Sequence, residues 1–187
     1  MVYNIGQAPP AAVGQAETEA GRILGEAGLR AVWIDCLDRH SADARKGLCG
    51  KAREPVDVVL RFLPGRTRSG SHDTLFGVAF LPTLASVYYE YAVRLAGSDN
   101  EVPIILGCAI AHEIGHLLLG TNSHSAGGIM QGEWGPKQFR LAPMGRLLFT
   151  SQQSKIKARR RMNLQTGTLK EQRLATVDQG AEAKIIP

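Results

Sequence analysis

Cysteine is scarce in this 187-residue chain: Cys36, Cys49 and Cys108, with no CxxC pair. That spacing excludes a thiolate zinc knuckle. Cys36 and Cys49 flank a polar loop, and their spacing alone leaves both free thiols and a ring-closing disulfide open. Cys108 stands in an apolar run and reads as a small core residue. A secretory signal is also missing, because residues 1–16 (MVYNIGQAPPAAVGQA) have neither a basic start nor an apolar segment. No long apolar run is uninterrupted. The longest, Val102 to Leu119, carries His112, Glu113 and His116, and charge at its centre argues against a membrane span. Aromatic residues are few, and none interleaves with the basic run Lys155 to Arg161 (KIKARRR). Stacking of nucleic-acid bases needs such a platform. The run therefore reads as a solvated helix face, and no nucleic-acid partner is expected despite the net charge of +5. Internal repeats and low-complexity tracts are absent as well.

What remains is a globular composition, 44% hydrophobic and 21% charged, in a chain long enough to bury one core. Residues 10–28 read as an amphipathic helix, with Ala16, Ala20, Ile23, Leu24 and Ala27 at helical spacing and Gly28 as the stop. AVWIDCL (31–37), VDVVLRFLP (56–64) and TLFGVAFLP (74–82) have the length and composition of strands, the last ended by Pro82. SVYYEYAVRLAG (86–97) begins like a strand and continues in helical spacing, with no visible changeover point. Residues 101–119 form a central helix, and SDNE just before it is a capping signal. GPKQFRLAPMGRLLF is helical but broken at Pro143 and Gly145. Thr150 with Gln153 then forms a capping box for a further helix, and from about Gln165 the periodicity fades into a polar tail expected to be poorly ordered.

The histidines carry the chemistry. His112 and His116 are four residues apart, which on a helix places both imidazoles on one face within reach of one metal ion. Glu113 lies beside them, completing HExxH. A chance HExxH in a chain of this composition has a probability on the order of one per cent. A catalytic zinc takes three protein ligands and keeps a fourth position for water. His124 is the candidate third ligand, and Glu133 is the alternative. Gly120 lies between His116 and His124, where the helix must end and the chain turn back. Met130 closes SAGGIM, a small-residue turn that can form a floor beneath a metal. His40 and His72 fall in polar loops and read as solvated; Asp73 is a weak candidate for shaping a substrate site. Trp134 and Phe139 read as core packing before pocket lining.

Together, His112, Glu113, His116, Gly120, His124 and Met130 resemble the metzincin zinc endopeptidases, whose pattern is HExxHxxGxxH followed by a methionine turn. This chain departs from it as HExxHxxxGxxxH, with two extra residues before the last histidine, and Gly132 stands where some members place a tyrosine ligand. The resemblance implies an α+β fold: a small twisted mixed sheet, an N-terminal helix, a central active-site helix, a methionine turn and a C-terminal helical region. It implies one catalytic Zn2+ on His112, His116 and His124, Glu113 as general base, and a peptide or protein substrate. TLFGVAFLP then becomes the strand that pairs with the substrate backbone, and Gly77 would let a peptide approach closely. A non-catalytic zinc domain of the same fold is the alternative. The likeness to small bacterial proteins of this type, carried by VYNIG, VWIDC, AHEIGHLLLG, HSAGGIM and GRLLFT, runs from Val2 to about Met162. It implies a catalytic domain over 1–162 with 163–187 as the tail. It also implies an exported protein, with a Cys36–Cys49 disulfide and a leader outside this chain; a monomer is expected.

Overall fold

A computed structural model describes residues 1–36, 46–49, 57–65 and 76–155. Within them, β1 (Val2–Asn4), β2 (Val59–Leu63), β3 (Gly77–Phe80) and β4 (Leu84–Tyr88) form one mixed sheet in the order β1-β2-β4-β3. The first two pairings are parallel, with Val2 opposite Leu60 and Leu60 opposite Ala85. β3 is antiparallel to β4 and stands at the edge, with Ala79 opposite Ala85. Side chains alternate between faces along a strand. Leu60, Phe62, Ala85 and Val87 are accordingly buried together in the core that the helices cover.

Among the described residues, the helices that build the core are α1 (Pro10–Glu26), α2 (Tyr89–Leu95), α3 (Val102–Leu119) and α4 (Pro136–Leu141). α1 buries Val13, Ala16, Ala20, Ile23 and Leu24 and packs along α3. The contact is close because the facing residues are small. A Cβ at Gly107 would stand 2.8 Å from the Ala16 carbonyl oxygen and 2.7 Å from the Glu19 Cβ. α3 also lies on β3 and β4, so nearly all of its residues are buried. Residues Asp99–Leu119 are long and apolar enough to cross a bilayer, yet 83% of the apolar 18-residue window within them is buried inside the fold.

Several boundaries differ from the sequence expectations. Over its described residues, 31–36, AVWIDCL is not a strand. It makes a single parallel bridge, Asp35 with Val2, through Val2 N–H to the Ile34 carbonyl (2.9 Å) and Cys36 N–H to the Val2 carbonyl (3.0 Å). β1 is only three residues long, so the segment finds one partner, and Val32 is left 73% exposed. In SVYYEYAVRLAG the changeover falls between Tyr88 and Tyr89, with no loop between. SDNE does not cap α3 through a side chain; Asp99–Glu101 form a 3-10 turn, and the Glu101 carboxylate accepts the Gly97 N–H at 2.9 Å. α4 stops before Pro143, and Gly145 turns the chain at φ 67°. Thr150 and Gln153 then bond reciprocally at 2.8 and 3.3 Å at the start of a helix over 151–155. Most of the basic run, the whole 163–187 tail, His40, His72 and Asp73 lie outside the described residues.

Glu17, half-buried on α1, has its carboxyl pushed up from an ordinary 4.5 to about 7, first by burial and then by the charge of Asp35. The folded chain therefore holds this proton more tightly than the unfolded chain. Stability tied to the group is intact below 4.5 and falls as pH rises towards 7. Glu17→Gln removes the penalty. After allowance for solvent screening of a half-exposed group, the expected gain is ~1–2 kcal/mol at pH 8 and close to zero at pH 4. Thermal melts at both pH values measure it, and equal shifts at the two would count against this origin.

Candidate metal centre and cleft

α3 places His112 and His116 one turn apart on the same face, with ring centroids 4.7 Å apart. Their Nε2 atoms face each other at 3.0 Å. The His112 Nδ1 donates to the Ile129 carbonyl at 2.7 Å, and the His116 Nδ1 donates to the Thr121 carbonyl at 2.9 Å. A carbonyl oxygen only accepts, so in each neutral ring the proton sits on Nδ1 and Nε2 carries the lone pair. Two lone pairs this close repel unless they share a proton or a cation. Tetrahedral zinc, with Zn–N bonds of ~2.0–2.1 Å, spaces its nitrogen ligands about 3.3 Å apart. The donor pair fits such an ion with an opening of a few tenths of an ångström.

Gly120 ends α3. It adopts φ 67°, which a side chain resists, and its N–H caps the His116 carbonyl at 2.8 Å. Thr121, Asn122 and Ser123 make the return, braced by Thr121 Oγ1 donating to Ser123 Oγ (2.9 Å) and accepting the Ser123 N–H (3.1 Å). Of the two additional residues, one lengthens α3 ahead of Gly120 and the other is taken up in this turn. His124 then comes back over α3, with its ring centroid 5.4 Å from that of His112 and 5.0 Å from that of His116. One donor atom from each of the three histidines lies within 4.8 Å of the others, so the three could hold a metal ion. Glu133 is exposed and lies outside this group.

The segment after His124 supports the histidines from below. Ser125 N–H bonds the Met130 carbonyl at 2.9 Å, Gly128 turns at φ 73°, and Ile129 N–H bonds the Leu148 carbonyl at 2.8 Å. Ile129, whose carbonyl orients His112, is thus held to the irregular segment after α4. Met130 is buried under α3. Its room comes from Gly115, where a Cβ would run into the Met130 thioether and stand 2.9 Å from Phe149 Cε1. Sequence reasoning passed over Gly115. Its signal was there, since a glycine inside a helix costs ~1 kcal/mol and needs a packing reason.

Glu113 is 5% exposed, and burial pushes its carboxyl up to about 8. Gly77 of β3 faces it: a Cβ there would stand 2.6 Å from Glu113 Cγ and 2.5 Å from the Ser86 carbonyl oxygen. The close approach expected of a peptide at Gly77 is, within the chain itself, made by Glu113. A cleft of about 200 Å³ opens over these groups, lined by Gly77, Val78 and Ala79 of β3 and by Asn122, Gly132 and Trp134. β3 ends the sheet, so its outer edge has no strand partner among the described residues. Trp134 both packs and lines. It is 7% exposed, 4.7 Å from Phe76 and 5.9 Å from His112 between ring centroids. Phe139 stays in the core, stacked obliquely 6.0 Å from Phe76.

No protein-family model and no curated protein matches the chain by sequence. By fold it is similar to the crystal structure of a zinc-dependent peptidase from Methanocorpusculum labreanum (strain Z), at a TM-score of 0.53 and 17% identity. The match covers 83% of this chain and 98% of that one. The fold is shared with a zinc-dependent peptidase. At this identity the likeness concerns architecture: a small mixed sheet with helices packed on it. The chemistry has to be argued from the residues in the cleft.

Far from the cleft, Cys36 and Cys49 are joined, with Cα atoms 5.8 Å apart. Cys108 is a buried free thiol in the core beside Met130 and Ile129.

Proposed function

We propose that this chain is a zinc-dependent endopeptidase of the metzincin type, with its catalytic unit over residues 1–162 and 163–187 as a polar tail. The observation that carries the reading is the convergence of three imidazoles within 4.8 Å beside a buried carboxylate, in a cleft bordered by an edge strand. His112, His116 and His124 would hold one Zn2+. When bound, zinc would supply Lewis acidity, which lowers the pKa of water towards about 7 and polarises a carbonyl.

The chain's own residues do the rest. The Ile129 and Thr121 carbonyls fix the tautomer and direction of the first two imidazoles. Glu113 accepts the proton of the attacking water and passes it to the nitrogen of the leaving amine. The outer edge of β3 offers backbone N–H and C=O groups to an extended peptide, setting its carbonyl over the site. The half-enclosed cleft, with Trp134 on its wall, limits the water around the reacting carbonyl.

The test is cleavage of a broad peptide library by the full chain loaded with one equivalent of zinc, read by mass spectrometry. Cleavage that chelator removes and zinc restores is expected. A protein that takes up zinc on the three histidines and cleaves nothing would be the non-catalytic zinc domain instead.

A further inference from the structure

His112 and His116 are oriented twice, by α3 and by hydrogen bonds from Nδ1 to the carbonyls of Ile129 and Thr121. His124 has neither support. It lies beyond the end of α3, it is exposed, and no hydrogen bond holds its imidazole among the described residues. Its connecting turn is also longer than the metzincin pattern, which leaves more conformations for the ring to lose. Something else has to define where the third imidazole sits.

Gly132 is placed to do so. A Cβ built there would stand 2.8 Å from Nδ1, 2.9 Å from Cγ and 3.3 Å from Cβ of His124. Non-bonded heavy atoms settle at about 3.5–4.0 Å. The His124 Cβ is among the crowded atoms, so turning the ring alone gives no relief and the whole side chain would have to move. Backbone conformation does not explain the glycine, because Gly132 is not among the residues at positive φ. Its neighbours are fixed: Gln131 bridges Ser125, and Met130 and Ile129 are buried and bonded to Ser125 and Leu148. The backbone at Gly132 is therefore a firm surface against which the imidazole rests.

We propose that Gly132 is a positioning residue whose bare Cα seats the His124 imidazole as the third metal ligand. The inference rests on the reading of His112, His116 and His124 as the ligand set. A methyl group at this position pushes His124 off the common point of the other two donors, and a larger group removes it from the site.

The experiment compares full-length wild type, Gly132→Ala, Gly132→Val and His124→Ala. Affinity for Zn2+ alone is measured by competition with a chromophoric chelator, and coordination is read from the visible bands of bound Co2+. Outer-sphere supports of metal ligands are worth roughly 10–100-fold in affinity. Gly132→Ala should weaken zinc about tenfold, and Gly132→Val should approach His124→Ala, with cobalt bands moving towards those of His124→Ala. Melting of the metal-free protein should stay at the wild-type value in Gly132→Ala, since position 132 is otherwise exposed. If Gly132→Val melts early, Gly132→Ala carries the comparison. Wild-type zinc affinity and cobalt bands in the Gly132 variants, with His124→Ala weakened, would overturn the seat. Wild-type affinity in His124→Ala would overturn the ligand set itself, and the seat with it.

Discussion

Glu113→Gln should retain one zinc ion per chain and lose peptide cleavage by roughly 10²–10⁴-fold, the range for a positioned general acid–base group. The amide matches the carboxylate in size, so it fits the same slot against Gly77 without repacking. It cannot take the proton of the attacking water. No other carboxylate lines the cleft among the described residues, so no neighbour can substitute. The loss should fall on kcat more than on KM, because the proton is transferred in the transition state. Zinc content by elemental analysis and turnover of the same peptide pool, at matched metal loading, decide the matter. A Gln variant as active as wild type would move the base elsewhere.

The second large effect concerns stability. Replacing Cys36 and Cys49 together by serine should lower the unfolding free energy by about 3 kcal/mol, the chain-entropy value for a ring of this size. The bond closes a separation of 13 residues. It ties the segment at 46–49 to the residue next to Asp35, which makes the sole bridge between the 31–36 stretch and β1. With about 2–4 °C per kcal/mol for a chain of this length, the melting temperature should drop by roughly 6–12 °C. Urea melts of the double variant, and of wild type with and without reductant, give the number. A change under ~1 kcal/mol would mean that the non-covalent contacts of this edge already hold it. Zinc affinity should not change, because neither cysteine lines the cleft.

Much of the fold was legible in the chain, and the reasons differ by element. α1 and α3 were readable because helical periodicity is local and both helices are long. β2 and β3 were readable as short apolar runs, and β4 only as the strand-like opening of a stretch whose passage into α2 left no mark in the sequence. AVWIDCL misled because strand composition does not supply a strand partner, and β1 has only one residue to offer it. SDNE misled because a capping signal competes with a tighter 3-10 turn, which used Glu101 to bond Gly97 instead.

The same division runs through the cleft. By itself the sequence determined that His112 and His116 share a face and that Glu113 sits between them, because helix geometry converts a spacing of four into one direction. It also determined that the chain must reverse at Gly120, since that residue tolerates the left-handed conformation. Only the tertiary structure decided whether His124 returns to the other two, since that depends on how Thr121 to Ser123 fold and on what stands behind the ring. Gly115 under Met130, Gly77 against Glu113 and Gly132 against His124 belong to this second kind. Each is a contact between segments distant in sequence, and no periodicity or propensity records which surface a missing side chain will face.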